Sequence, residues 1–265
     1  SVTKSFTSAL IGIAIQEGHL SLDDRVIDFF PEYTDVQPEN GREDITIRHA
    51  LTMSTGLRWD ESTYSYDDPR NDHAMMYANG DWVHYVLTRP MASQPGSTFL
   101  YNSGISITLG AIILKATGRS VSQFADERLF NKMGVSGERW SLAANGTAQT
   151  GGGLSMTPRD MLRFGSLFLN DGTWNDTRLI NSDWANESTS QNGPNPSYGY
   201  HWWLTNYQVG AKRVDAYYAG GRGGQYIIVI DELDMVVVFT AGNDNRLAWE
   251  QPRDLLLRYI LPSAL

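Results

Sequence analysis

The chain contains no cysteine. That excludes disulfides, thiolate nucleophiles and cysteine–zinc sites, and it leaves cytoplasm and periplasm equally open as compartments. Positive charge is scarce: 21 Lys and Arg stand against 30 Asp and Glu, a formal charge of −9, and no basic cluster interrupts the balance. Nucleic acid and anionic membrane surfaces are therefore not expected partners. No apolar run reaches the length that crosses a bilayer. The five histidines, His19, His49, His73, His84 and His201, show no metal-ligand spacing, so neither a metal nor a cofactor is expected. A G-x-S-x-G elbow is missing too, which argues against a Ser-His-Asp hydrolase.

What is present reads as an ordinary globular core, with 41% apolar and 11% aromatic residues and no low-complexity stretch. Residues 1–17 have the pattern of a buried helix: Phe6, Leu10, Ile13 and Ile15 give a wide apolar face, and Gly18 is a natural stop. Further helices are expected at 46–53 behind Thr46, at 82–87, at 105–116 before Gly118, and at 121–130. Residues 57–81 are irregular, polar and aromatic, the character of a lid or binding loop. Gly151, Gly152 and Gly153 read as a flexible joint. A Thr157 cap with Pro158 and Asp160 then opens a helix to about residue 170. From residue 198 the period changes to that of strands, at 198–204, 213–219, 225–230 and 235–240, and a helix from Pro252 closes the chain. The order predicts an α+β fold in a single catalytic domain over 1–265. Residues 20–197 make a mostly helical subdomain, while 1–19 and 198–265 form the α/β part.

Three constellations carry chemistry. Ser1 and Lys4 are three residues apart at a helix start, so hydroxyl and ammonium project side by side. An adjacent amine is what a serine hydroxyl needs to become a nucleophile. Tyr101, in the turn Tyr101-Asn102-Ser103, becomes a general base toward Ser1 if an ammonium such as Lys4 stabilises its phenolate. The stretch Gly220-Gly221-Arg222-Gly223-Gly224 opens a strand with four glycines. Its backbone N–H groups, with that of Ser1, have the makings of an oxyanion hole.

Their order and spacing resemble the serine hydrolases related to class C β-lactamases, D-aminopeptidases and family VIII carboxylesterases. The framework segments GHLSLDDRVIDFFPEY, ITIRHALTMSTGL and GGGLSMTPRDMLRFGSLFLNDG extend that likeness over nearly the whole chain. It implies a β-lactamase/transpeptidase-like fold, an antiparallel sheet flanked by helices. It also implies Ser1 as nucleophile, Lys4 as its partner and Tyr101 as general base, with the Arg222 N–H as second oxyanion donor. Two departures narrow the branch. Ser103 stands where the family often has Asn, and Ala219-Gly220-Gly221 replaces the Lys/His-Thr-Gly strand that receives a β-lactam carboxylate. Both resemble the 6-aminohexanoate-dimer hydrolase branch, which cleaves linear amides and carboxylic esters. The resemblance implies a small-molecule amide or ester substrate met by Tyr64 or Tyr66, Ser103, Gly221, Gly223 and the pair Trp202 and Trp203. A slow-turnover, penicillin-binding-type sensor on the same scaffold is the alternative. Finally, strands from residues ahead of the nucleophile are missing here, and the resemblance has such an upstream segment of the same protein pair with 235–240.

Overall fold

The computed structural model describes residues 1–242 and 250–265. Helix α1, Thr3–Gln16, is buried almost all round. Two of its buried polar residues are satisfied by hydrogen bonds outside the helix: Ser5 Oγ donates to the His201 carbonyl at 2.7 Å and Thr7 Oγ1 to that of Thr150 at 2.8 Å. Gly12 allows the Trp184 indole to lie directly on the helix, since a Cβ there would sit 2.3 Å from Trp184 Nε1. Gly18, at φ +75°, ends the run.

Short helices follow at α2 (Ile47–Leu51), α3 (Asp72–Ala78) and α4 (Trp82–Leu87). The expected irregular loop 57–81 thus contains two turns of helix, started by the Asn71 side chain accepting from the His73 N–H. Helix α5, Ser103–Thr117, packs against α1 and α4. Asn102 caps it by accepting from Ile105 N–H at 3.0 Å, so the first residue of the helix, Ser103, is held at a fixed place beside α1.

The sheet is an antiparallel meander of four strands, β1 (Trp203–Val209), β2 (Lys212–Gly221), β3 (Gln225–Ile230) and β4 (Met235–Phe239), in that spatial order. Two further ladders, Arg139–Trp140 with Leu154–Ser155 and Thr173–Trp174 with Thr177–Arg178, are only two residues long. Alternation along β3 splits its side chains between two cores. Ile227 and Val229 join the main core with α1 and with α6, the helix Pro158–Leu169. Ile228 and Ile230 meet Leu256 and Leu261 of the C-terminal helical segment on the opposite face. Helix α6 starts as expected, with Thr157 accepting from the Asp160 N–H. It reaches the sheet through Gly165, where a Cβ would stand 2.5 Å from Val236 Cγ1. Phe6 of α1 and Phe164 of α6 stack with centroids 3.7 Å apart and tie the two helices together.

Residues 198–204 do not form the expected strand. Tyr198, Tyr200 and Trp202 are all buried, which produces the alternating pattern, but His201 adopts a left-handed φ of +61° and breaks the backbone there. The ladder begins only at Trp203, opposite Tyr218. Among the described residues β4 pairs with β3 alone, so its other edge carries no strand.

Candidate active site

Helix α1 ends at its N-terminal side on Ser1, whose carbonyl accepts from Lys4 N–H at 3.0 Å. Lys4 lies in the first turn, 2% exposed, and its Nζ has three oxygen neighbours: Ser1 Oγ at 3.1 Å, Ser103 Oγ at 2.9 Å and the Gly151 carbonyl at 2.6 Å. Behind Ser103 stands Glu61, also buried. It accepts the Ser103 hydroxyl at 2.8 Å, the Ser103 N–H at 2.7 Å, the Trp59 indole at 2.7 Å and the Tyr66 phenol at 3.2 Å. Because the Ser103 hydroxyl donates to Glu61, it can only accept from Lys4. The Gly151 carbonyl can only accept as well. Two of the three positions on Nζ are thereby N–H donors, and the third faces Ser1. In an ammonium that third position is another donor; in a neutral amine it is the lone pair, aimed at the serine O–H.

The Tyr101 ring lies over this nitrogen, its centroid 4.8 Å from Nζ. The direct contact with Ser1 Oγ belongs to Lys4, and the Tyr101 hydroxyl hydrogen-bonds to neither residue. Tyr101 stacks on Trp203 at 6.0 Å and both line a cavity of about 290 Å³ with Ser1, Tyr66, Gly221 and Arg222. A second cavity of about 470 Å³ opens on the other side of Ser1, walled by Tyr66, His73, Tyr77, Gln149 and Gly152. A third, about 270 Å³, runs from Ser1 along Phe6, Met156 and Gln225. Tyr66 and Arg222 border the first two, with the guanidinium 5.5 Å from the ring centroid. Burial, then the Glu61 charge, pushes the Tyr66 phenol up, so it stays a proton donor. Burial pushes the His73 imidazole down, keeping it neutral near pH 7.

Strand β2 meets the helix start at Gly221, where a Cβ would lie 3.0 Å from Ser1 N and 3.3 Å from Val2 N. Only glycine lets the strand come that close. The Arg222 backbone follows at once, on the rim shared by Ser1 and Tyr66.

Other expected site residues fall elsewhere. Trp202 is fully buried among Phe164, Phe168 and Tyr217 and lines none of these cavities; its neighbour Trp203 does. Tyr64 holds the Arg70 guanidinium 4.1 Å from its ring centroid and lines none of these cavities, so of the two expected tyrosines it is Tyr66 that borders the site. Gly223 is buried in the β2–β3 turn with φ +83°, a backbone role. Ser103 borders the larger cavity, but its hydroxyl is engaged on both sides by Lys4 and Glu61. The three-glycine joint is a packed wall: Gly151 supplies a carbonyl to Lys4, and a Cβ on it would press within 2.8 Å of the Ser103 carbonyl. Glu61 and Gln149 had no motif to announce them. The glycine run was the one visible sign, since three glycines together also mean close backbone approach.

Helices packed around a four-stranded antiparallel sheet, with a serine and a lysine at the start of a buried helix, make up a β-lactamase/transpeptidase-like α+β fold. The chain belongs to the beta-lactamase family, whose model matches residues 1–260. It is 22% identical over 234 residues to the 6-aminohexanoate-dimer hydrolase of Paenarthrobacter ureafaciens, covering 79% of this chain and 58% of that one. The fold superposes on a putative 6-aminohexanoate-dimer hydrolase from Bacillus anthracis with a TM-score of 0.80 at 22% identity, over 99% of this chain and 72% of that one. A family VIII carboxylesterase gives a TM-score of 0.74 at 17% identity, over 100% and 82%. The chain spans little more than half the length of the curated relatives it matches first.

Proposed function

We propose that the protein hydrolyses carboxylic esters and linear amides through an acyl-enzyme on Ser1. The observation that carries this reading is the Lys4 nitrogen, fixed by Ser103 and Gly151 so that its remaining position meets Ser1 Oγ at the junction of three cavities. Lys4 takes the Ser1 proton as Oγ attacks the carbonyl. The ammonium that results is balanced by Glu61 through the Ser103 hydroxyl and faces the Tyr101 ring. The N–H groups of Ser1 and Arg222 receive the developing oxyanion. Tyr101, on the wall of the smaller cavity, passes a proton to the leaving alcohol or amine and, because its hydroxyl does not touch Lys4, recovers the proton held on Lys4 by way of water. Water then attacks the ester by the same route, releasing the acid. The missing Lys/His-Thr-Gly strand favours linear substrates over β-lactams.

A fluorophosphonate probe should add its phosphonyl mass to the Ser1 peptide, and p-nitrophenyl acetate should turn over repeatedly. A single burst that leaves a stable acetyl adduct on Ser1 would instead support the slow-turnover sensor. Tyr101→Phe should lower kcat on poor leaving groups about a hundredfold and on p-nitrophenolate much less, because the latter needs no proton. Equal losses on both would remove Tyr101 from the leaving-group step.

The bare edge of β4 supports one structural proposal: a segment of the same protein ahead of Ser1 adds a strand there. Half-buried Met235, Val236, Val237, Val238 and Phe239 make this an aggregation-prone edge unless it is covered. In a polypeptide carrying that segment, β4 amides should exchange with solvent more slowly than in this chain; identical exchange rates would rule the pairing out.

A further inference from the structure

Gln149 is 6% exposed, and its side-chain oxygen Oε1 is buried with no hydrogen-bond partner. A buried carbonyl left unpaired is destabilising, so such a group on a cavity wall calls for a partner. Its position is informative. The point where a Gly152 side chain would begin is 3.6 Å from Gln149 Nε2, 3.9 Å from Oε1 and 3.7 Å from Ser1 N. That same point is empty because residue 152 is glycine. The carboxamide and the reacting serine therefore look into one small space, on the wall of the cavity bordered by His73 and Tyr77. The same amide lies close enough to the Tyr77 phenol to work against the rise that burial imposes on that group.

We propose that Gln149 is a specificity-determining residue whose Oε1 accepts a hydrogen bond from the acyl arm of the substrate. This rests on the serine-hydrolase reading above and deepens it. Since Tyr101 serves the leaving group from the smaller cavity, the acyl arm enters the larger one. An acceptor on the wall of the cavity that Ser1 also lines selects a donor on the acyl arm, and the proposed substrate class is esters or amides of acids bearing an N–H or O–H at the α or β carbon. N-acylated amino acids and short hydroxy acids have that form. An acid lacking the donor would bury Oε1 unpaired and lose affinity in the transition state.

The test uses p-nitrophenyl esters of N-acetylglycine and N-acetylsarcosine, which differ in whether the α-nitrogen carries hydrogen or methyl. Wild-type kcat/KM should favour the N–H ester at least about tenfold, in line with one buried hydrogen bond. Gln149→Met should reduce that ratio to within about threefold of whatever steric penalty the methyl group imposes, while Gln149→Glu, which keeps an acceptor oxygen, should retain the preference. An unchanged ratio in Gln149→Met, with turnover still dependent on Ser1, overturns the assignment and leaves the hydrolase intact. Turnover that survives Ser1→Ala overturns the hydrolase reading and this assignment with it. If Gln149→Met does not fold, loss of the preference in Gln149→Leu or its absence in the wild type decides the matter.

Discussion

Ser1→Ala should remove about five orders of magnitude from kcat/KM on p-nitrophenyl esters, and Lys4→Met about three, with KM changed little in either. The serine loss is the larger because no covalent intermediate forms without Oγ, whereas oxyanion stabilisation and binding persist. For Lys4, methionine keeps the length of the side chain inside its buried slot but offers neither lone pair nor charge to Ser1. Ser103 and the Gly151 carbonyl would each lose a donor, so the variant is also expected to unfold more easily; its residual rate should be measured well below its melting point. A Lys4→Met enzyme retaining more than a tenth of wild-type kcat would shift the base elsewhere, with Tyr101 the next candidate.

Glu61→Ala should be the most destabilising single change near the site, by about 3–5 kcal/mol. For a chain this long that corresponds to a melting point roughly 10 °C lower. The carboxylate is 5% exposed and accepts four hydrogen bonds, from Trp59, Tyr66 and twice from Ser103. Its loss leaves four donor groups unpaired and, in the cycle proposed above, the protonated Lys4 without its counter-charge. Glu61→Gln keeps the volume and part of the hydrogen bonding, so it should fold nearly as well while losing one to two orders of magnitude in kcat. Comparing the two by thermal denaturation and ester turnover separates scaffold from chemistry. If both variants keep the wild-type melting point, Glu61 does not anchor the cluster.

Local signals in the sequence had local causes, and those were readable. Thr157, Pro158 and Asp160 start a helix whatever surrounds them, and Gly18 and Gly118 end one by taking left-handed conformations. The serine–lysine pair depends only on helical spacing, and the tyrosine turn on an asparagine cap one residue later. Long-range features were harder to read. Glu61 reaches Ser103 across 42 residues, and the Gly151 carbonyl reaches Lys4 across 147. A backbone oxygen leaves no mark on composition at all. Trp202 and Trp203 show a different limit: adjacent residues at a strand start point to opposite sides, one into the core and one into the cleft, and their identity does not say which is which. Residues 198–204 alternated like a strand because three aromatics needed burial, while the left-handed turn at His201 was invisible.

The three hollows that meet at Ser1 give the nucleophile a crossroads rather than a dead-end pocket. In the reaction proposed above, a straight substrate would occupy two of the branches, one for the portion retained on the serine and one for the portion expelled. The remaining branch, along Phe6 and Gln225, would then be left for water. Solvent can therefore reach the bound acyl group from a direction that neither fragment blocks, so the second half of the cycle need not queue behind the departure of the first product.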